Sequence, residues 1–194
     1  MYKRDQYEIQ RACEADPKYT KEAMLFVLDS IQQRFHLLPI IIEKRRSLGI
    51  ESPYLNNNTK RLGCEFILAN YKQLHKDIFD PDLSLAEKIL SVSSIPGIGI
   101  VKAGFVLQLC IGKVGCLDTH NLRMFGFSDS AFKFSKTTTR NTALAKARLY
   151  IETCEKLGGS EFLWDNWCEF IASKYPKHFT SADQVSQMHV DLIV

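Results

Sequence analysis

The sequence predicts an all-α fold, because apolar residues recur at helical spacing along the whole chain and few segments alternate as strands do. Helix start and stop signals follow one another at the intervals that successive helices require. No internal repeat or low-complexity segment interrupts this pattern. At 194 residues, 45% hydrophobic and 24% charged, the chain has the composition of an ordinary globular protein.

The first predicted helices are defined by the residues at their ends. Thr20 is a candidate N-cap for a helix that reaches about Arg34. Pro39 suits the start of the next helix, and Gly49 can end it. A longer helix follows over 59–76. Its inner face is predicted to carry Leu62, Phe66, Ala69 and Leu74.

The second half of the chain repeats this kind of signal. Ser84 and Glu87 make a capping box for a short helix. The segment 100–111 is apolar on every face except at Lys102 and Gln108, which predicts a buried helix. Three further helices are predicted over 142–157, over 160–174 after the Gly158–Gly159 pair, and from a capping box at Ser181 and Gln184.

Composition excludes several classes of protein. No apolar run reaches the roughly 18 residues that a membrane helix needs. The N-terminal segment is charged and lacks the apolar core of a signal peptide, so we expect an intracellular protein without membrane contact. The six cysteines contain no C-x-x-C spacing, which excludes a zinc ribbon or a thioredoxin motif.

The charge pattern is compatible with an anionic partner. The net charge of +3 is small, but residues 130–150 contain five basic residues and no acidic one. Such a stretch suits phosphate contacts, and it equally suits a solvated helix face. The basic residues are Lys133, Lys136, Arg140, Lys146 and Arg148.

The turn around Pro96 has the composition of a phosphate-binding corner. Gly97 and Gly99 permit backbone angles and close approaches that other residues do not. The first amides of the following helix have no intrahelical acceptor and lie at the positive end of its dipole. A DNA phosphate suits such a site, although a plain corner between two helices can use the same residues.

This turn belongs to a longer pattern, I-P-G-I-G at 95–99 with Ala103, followed by L-D-T-H at 117–120 with Arg123. Order and spacing resemble the helix-hairpin-helix (HhH-GPD) DNA glycosylase superfamily, and in particular endonuclease III. The resemblance implies a two-lobed, all-α, monomeric module that binds double-stranded DNA carrying a damaged or modified base. Its parts would be one module over 1–194, a hairpin at about 84–111, a catalytic Asp loop at 114–126, and an outer lobe from 1–20 and 127–194.

The resemblance also implies roles for single residues. Asp118 would be the catalytic carboxylate, although D-T-H-N also suits the N-cap of a helix. The remaining implied roles are DNA-backbone binding by Gly97, Gly99 and Lys102, a DNA wedge or base pocket from Gln32, Gln33 and Tyr54, and a monovalent cation (Na⁺ or K⁺) at the carbonyls of Ser93, Ile95 and Ile98.

Two departures from the family pattern define the subclass. Val101 occupies the position of the Schiff-base lysine, and Lys102 follows one residue later, about 100° around the helix. Lys102 is therefore a candidate catalytic lysine only if the hairpin shifts locally. No cysteine follows Cys168, so no iron–sulfur cluster is expected.

Three functions follow as hypotheses. The first is a monofunctional DNA N-glycosylase of base excision repair, with Asp118 as catalytic carboxylate and weak or absent AP-lyase activity. The second is a phage-type DNA hypermodification transferase on the same fold. The third is a non-catalytic DNA-binding protein, in which Asp118 is only a helix cap.

Overall fold

The described part of the protein is built of helices. The computed structural model describes residues 3–51, 57–128, 130–134 and 138–194, and these residues form ten α-helices and no β-strand. The all-α prediction is confirmed for this part of the chain. The helices are α1 (Lys3–Ala15), α2 (Pro17–Ser30), α3 (Leu38–Leu48), α4 (Asn58–Phe79), α5 (Leu85–Val92), α6 (Ile100–Ile111), α7 (Thr119–Met124), α8 (Arg140–Lys156), α9 (Gly159–Lys174) and α10 (Ala182–Ile193), with 3₁₀ turns at Phe35–Leu37 and Gly49–Glu51.

Helix α6 is the centre of the core. It packs against α1, α2, α4, α5 and α8, and it is buried along most of its length, as its apolar sequence predicts. Its buried polar residue, Gln108, donates from its amide to the Ser160 carbonyl at 2.8 Å. The backbone carbonyl of Gln108 accepts from the Gln6 side-chain amide at 3.3 Å. These bonds satisfy a polar group that would otherwise oppose burial.

Helix α2 begins and ends earlier than predicted. Asp16 caps it by accepting from the Lys18 amide at 2.8 Å, and Pro17 occupies its first turn. Thr20 is therefore not the cap; it is buried within the helix, where its hydroxyl donates to the Cys13 carbonyl. The helix ends at Ser30 rather than near residue 34, because the next residue is extended and the one after it has a positive φ.

Helix α4 shows a different buried face from the predicted one. Asn57 caps it, and Leu62 and Ala69 are exposed, whereas Leu74 is buried as predicted. Gly63 explains the difference, because a Cβ there would lie 2.5 Å from the Pro96 carbonyl oxygen and 3.0 Å from Leu28. The glycine lets α4 approach α2 and the α5–α6 turn closely, which turns the glycine side of the helix inward. The buried residues of α4 are Lys60, Gly63, Cys64, Ile67, Leu74 and Ile78.

The predicted capping boxes are present in different degrees. At α5 both bonds form, from the Glu87 amide to Ser84 Oγ and from the Ser84 amide to the Glu87 carboxylate. At α10, Ser181 accepts from the Gln184 amide, but the Gln184 side chain accepts from Thr180 instead. Helix α8 begins at Arg140 rather than near 142, because Thr139 is its cap.

The remaining packing joins the first and last helices. Helix α1 packs against α6 and α10, and α10 also packs against α2 and α9. All six cysteines are buried free thiols. Among the described residues, no helix combines the length and apolar character needed to cross a membrane.

Candidate functional site

The helices enclose a cavity of about 990 Å³. Its walls come from the loop after α2, the turn between α5 and α6, the loop before α7, and the last turns of α9. This volume is at the upper end of the range of about 300–1,000 Å³ that is typical of ligand pockets. The α5–α6 turn and Asp118, which are 20 residues apart in the predicted motif, meet at this cavity.

The charges around the cavity are strongly biased. Asp118 is the one carboxylate among the described residues that line it. The cationic side chains on its lining are Lys102, Arg123, Lys133 and Lys174. Because positive side chains outnumber the single carboxylate, the cavity favours an anionic ligand.

Aromatic rings form a wall near the end of α9. The Phe35 and Trp167 rings meet edge to face, with centroids 6.1 Å apart. The Lys174 ammonium lies 5.1 Å from the Phe170 centroid and 5.6 Å from the Tyr175 centroid. Rings of this kind stack on planar ligands, and the lysine adds a positive charge to the same wall.

Asp118 is the N-cap that the sequence predicts for α7, and it also lies on the cavity. It caps α7, where its Oδ1 accepts from the Asn121 amide at 3.0 Å. The half-buried side chain also lines the cavity. The cap fixes the carboxylate at the start of a helix, so its position is set by the fold.

Lys102 lies on the same cavity as Asp118. Its ammonium is 5.6 Å from the Phe105 ring centroid, and its side chain is half-buried. Burial raises the pKa of the Cys116 thiol to about 12; the charge of Lys102 opposes this rise and that of Asp118 adds to it. The neutral Cys116 thiol therefore lies within the electrostatic reach of both groups. Val101 lines the cavity as well.

The α5–α6 turn leaves amides available at the start of α6. Gly97 has a φ of +88°, and a Cβ there would lie 3.1 Å from the Thr59 methyl group. Gly99 is the N-cap residue, and the Ala103 amide donates to its carbonyl at 2.8 Å. The amides before Ala103 in the first turn have no acceptor within the helix.

The carbonyl oxygens of this turn are the atoms that the family resemblance assigns to a monovalent cation. The carbonyls in question belong to Ser93, Ile95 and Ile98, and Ile95 already accepts from the Ile98 amide at 3.0 Å. The Ser93 hydroxyl is buried without a hydrogen-bond partner, so an oxygen donor is available beside these carbonyls. Within the described ranges, no group of three or more His, Cys, Asp or Glu side chains could hold a metal ion.

The predicted wedge residues are placed unequally. Gln32 and Gln33 line the cavity, and Gln32 has a φ of +57°. They directly follow the end of α2, which is held by Lys60, whose ammonium donates to the Asp29 backbone carbonyl at 3.1 Å. Tyr54 lies outside the described residues, as does the His120 side chain.

Sequence reasoning did not identify the aromatic wall. Phe35 and Tyr175 belong to no motif, and Trp167 lies within the predicted helix over 160–174 without an assigned role. Aromatic residues cluster at 162–175 in the sequence, and this cluster was the available signal. The sequence does not show which of these side chains face the cavity, because that depends on how α9 packs.

Comparison of the chain with protein-family models, curated proteins and solved structures finds no significant match.

Proposed function

We propose that the chain is a monofunctional DNA glycosylase of the helix-hairpin-helix type. The observation that carries this proposal is the position of Asp118, a fold-fixed carboxylate on a cavity otherwise lined by cations, aromatic rings and the α5–α6 turn. Phosphate would bind the turn and the cations, and an extruded base would enter the aromatic part of the cavity. The two-lobed arrangement and the module boundaries set out above belong to this proposal.

The chemistry assigned to Asp118 is hydrolysis of the bond between C1′ and the base. As this bond breaks, its electron pair leaves with the base and positive charge develops on the sugar. The carboxylate stabilises that charge and orients a water molecule toward C1′. The water oxygen forms the new bond, and its proton is released through the carboxylate to solvent or to the departing base.

DNA would be held by backbone contacts that carry no sequence information. The amides of Gly97, Gly99 and Lys102 are assigned to one phosphate, and a cation at the neighbouring carbonyls would add charge beside it. Lys133 and Lys174 are exposed on the cavity lining and suit flanking phosphates. Because these contacts release counterions, affinity should fall steeply with salt.

The direct test is a set of duplexes that each carry one altered base. The set includes uracil, hydroxymethyluracil, alkylated and oxidised purines, and mismatched adenine and thymine. Free base released under single-turnover conditions from at least one duplex supports the proposal. Tight binding without release from any duplex favours the non-catalytic DNA-binding alternative.

Gly97→Ala and Gly99→Ala distinguish the contribution of the turn to stability from its contribution to DNA binding. Alanine at Gly97 must adopt a positive φ, so we expect a loss of about 1 kcal/mol in stability together with weaker DNA binding. At Gly99 a Cβ meets nothing within 4 Å, so stability should be unchanged. The methyl group would occupy space assigned to phosphate, and affinity should fall about fivefold for altered and unaltered duplexes alike. An effect confined to one altered base would instead place this turn in the base pocket.

Borohydride trapping tests the absence of a Schiff-base lysine. With Val101 at the family's lysine position, no imine should form between protein and sugar, and borohydride should trap no covalent adduct. Product strands should break only after alkali or heat. A strong adduct in the wild type that disappears in Lys102→Ala would show that Lys102 is the nucleophile after all.

The size and charge of the cavity also favour a second candidate, the DNA hypermodification transferase. Its volume of about 990 Å³ leaves space for a second reactant beside a single base, and its cations suit an anionic leaving group as well as DNA phosphates. In this reaction an amine nitrogen would attack the methylene carbon of an activated hydroxymethyl pyrimidine. The carbon–oxygen bond breaks, the activated oxygen leaves with the electron pair, and the amine loses a proton. Mass spectrometry of the nucleosides distinguishes the two, because this reaction changes the base without releasing it.

A further inference from the structure

The loop that leads to Asp118 is held by side chains more than by backbone bonds. Residues 115–117 connect α6 to α7, are buried, and belong to no regular element. Buried backbone groups need hydrogen-bond partners. Three of these groups, the carbonyls of Gly115 and Cys116 and the amide of Leu117, are bound by the side chains of Tyr150 and Asn121.

Tyr150 contributes two of the bonds. Its hydroxyl donates to the Gly115 carbonyl at 2.7 Å and accepts from the Leu117 amide at 3.0 Å. The side chain is 0% exposed, and its ring packs edge to face on Phe132. A Cβ at Gly104 would lie 2.6 Å from the Tyr150 ring, so a glycine in the middle of α6 provides the space for this contact.

Asn121 connects the loop to the carboxylate itself. Its side-chain amide donates to the Cys116 carbonyl at 2.7 Å, and its backbone amide donates to Asp118 Oδ1 at 3.0 Å. Its side-chain oxygen accepts from Asn166 on α9 at 3.4 Å. Asn121 is 0% exposed, and its bond to the Cys116 carbonyl is buried, so water does not compete for that bond.

We propose that Tyr150 and Asn121 are positioning residues that fix the Asp118 carboxylate in the cavity. This proposal rests on the proposed function, in which Asp118 must lie close to C1′. Loss of the Tyr150 hydroxyl leaves the Gly115 carbonyl and the Leu117 amide without these bonds, and the loop is free to move. A displacement of about 1 Å at a reacting group lowers rates by about 10²-fold.

The variant that tests Tyr150 is Tyr150→Phe, with Tyr7→Phe as the matched control. The Tyr7 hydroxyl donates to Glu161 Oε1 at 3.0 Å in an exposed bond that includes no residue of the Asp118 loop. In Tyr150→Phe we expect the single-turnover rate of base release to fall about 10²-fold, with the Kd for duplex DNA unchanged. In Tyr7→Phe both quantities should equal those of the wild type. Equal rates in Tyr150→Phe and the wild type would overturn the proposal.

A second measurement reports on the carboxylate without requiring catalysis. Carbon-13 NMR at fixed pH gives the chemical shift of the Asp118 carboxyl carbon, assigned with Asp118→Asn. We expect this resonance to move, and hydrogen exchange of the backbone amide at position 121 to accelerate, in Tyr150→Phe and in Asn121→Ala but not in Tyr7→Phe. Asn121→Ala keeps the test available if Tyr150→Phe does not fold.

The two measurements separate the two proposals. If the wild type releases no base from any duplex but the carboxyl resonance moves in both variants, the proposed function fails and the positioning of Asp118 stands. If base is released but the resonance and the amide exchange match the wild type in both variants, the positioning proposal is wrong.

Discussion

Asp118→Asn is expected to lower the single-turnover rate of base release by about 10²–10³-fold. The substitution removes the negative charge that would stabilise the developing positive sugar, and it changes little in shape. Asparagine is as good an N-cap as aspartate, so the bond to the Asn121 amide and the start of α7 should persist. DNA affinity should be equal or higher, because a negative charge is removed beside phosphates.

Asp118→Ala is the matched control for the helix cap. It removes both the charge and the cap, so the same loss of rate should come with a loss of about 1 kcal/mol in stability. The measurements are base release with enzyme in excess and urea unfolding of each variant. An Asp118→Asn protein with the wild-type rate would show that the carboxylate has no part in the chemistry.

His189 should make the fold sensitive to acid. Its ring is 0% exposed and is surrounded by aromatic rings, which include those of Phe26, Phe35 and Trp164. Its Nδ1 donates to the Val185 carbonyl at 2.8 Å, and its Nε2 is buried without a partner. Burial lowers the pKa of His189 to about 4, so the folded protein holds this ring neutral.

The direction of the pH effect follows from this difference. In the unfolded chain histidine takes up its proton near pH 6.5, whereas in the folded protein it does so only near pH 4. The contribution of the neutral His189 ring to the free energy of unfolding is fully present above pH 6.5. It is lost progressively as the pH falls toward 4. The total loss is about 3 kcal/mol.

Urea unfolding at pH 7.5 and at pH 4.5 measures this contribution. Between these values the wild type should lose about 2–3 kcal/mol more stability than His189→Phe, which has no group to protonate there. Other groups titrate in the same pH range. Burial opposes ionisation of Glu22, but its arginine and lysine neighbours lower its pKa overall. Such groups contribute equally to the stability of both proteins, so their effects cancel in the comparison. An equal loss in the two proteins would contradict the assignment.

The sequence was sufficient for the parts of the fold that depend on local chemistry. The capping box at Ser84 and the apolar surface of α6 are properties of short segments, and both are found as predicted. The face of α4 was not predictable in this way. It depends on Gly63 meeting Leu28 and the α5–α6 turn, which are distant in sequence. Close approach of helices at a glycine leaves no periodic apolar signal.

The same distinction applies to the candidate site. Asp118 and the turn at Gly97 belong to a contiguous motif, and the structure places both on one cavity. Tyr150 has no motif, because its hydroxyl acts on a loop about 35 residues earlier, within reach only once α8 has packed. Phe35 and Trp167 come together from the two halves of the chain in a similar way. Their roles are consequences of tertiary packing.

The contact of α1 with α10 has a consequence for biosynthesis. A chain that emerges from the ribosome from its N-terminus exposes the α5–α6 turn and Asp118 well before α9 and α10 are made. Until then α1 and α2 lack the helix that covers them, and the cavity lacks its aromatic wall. The nascent chain therefore contains the whole sequence motif before it has the complete cavity, which forms only after α9 has been translated.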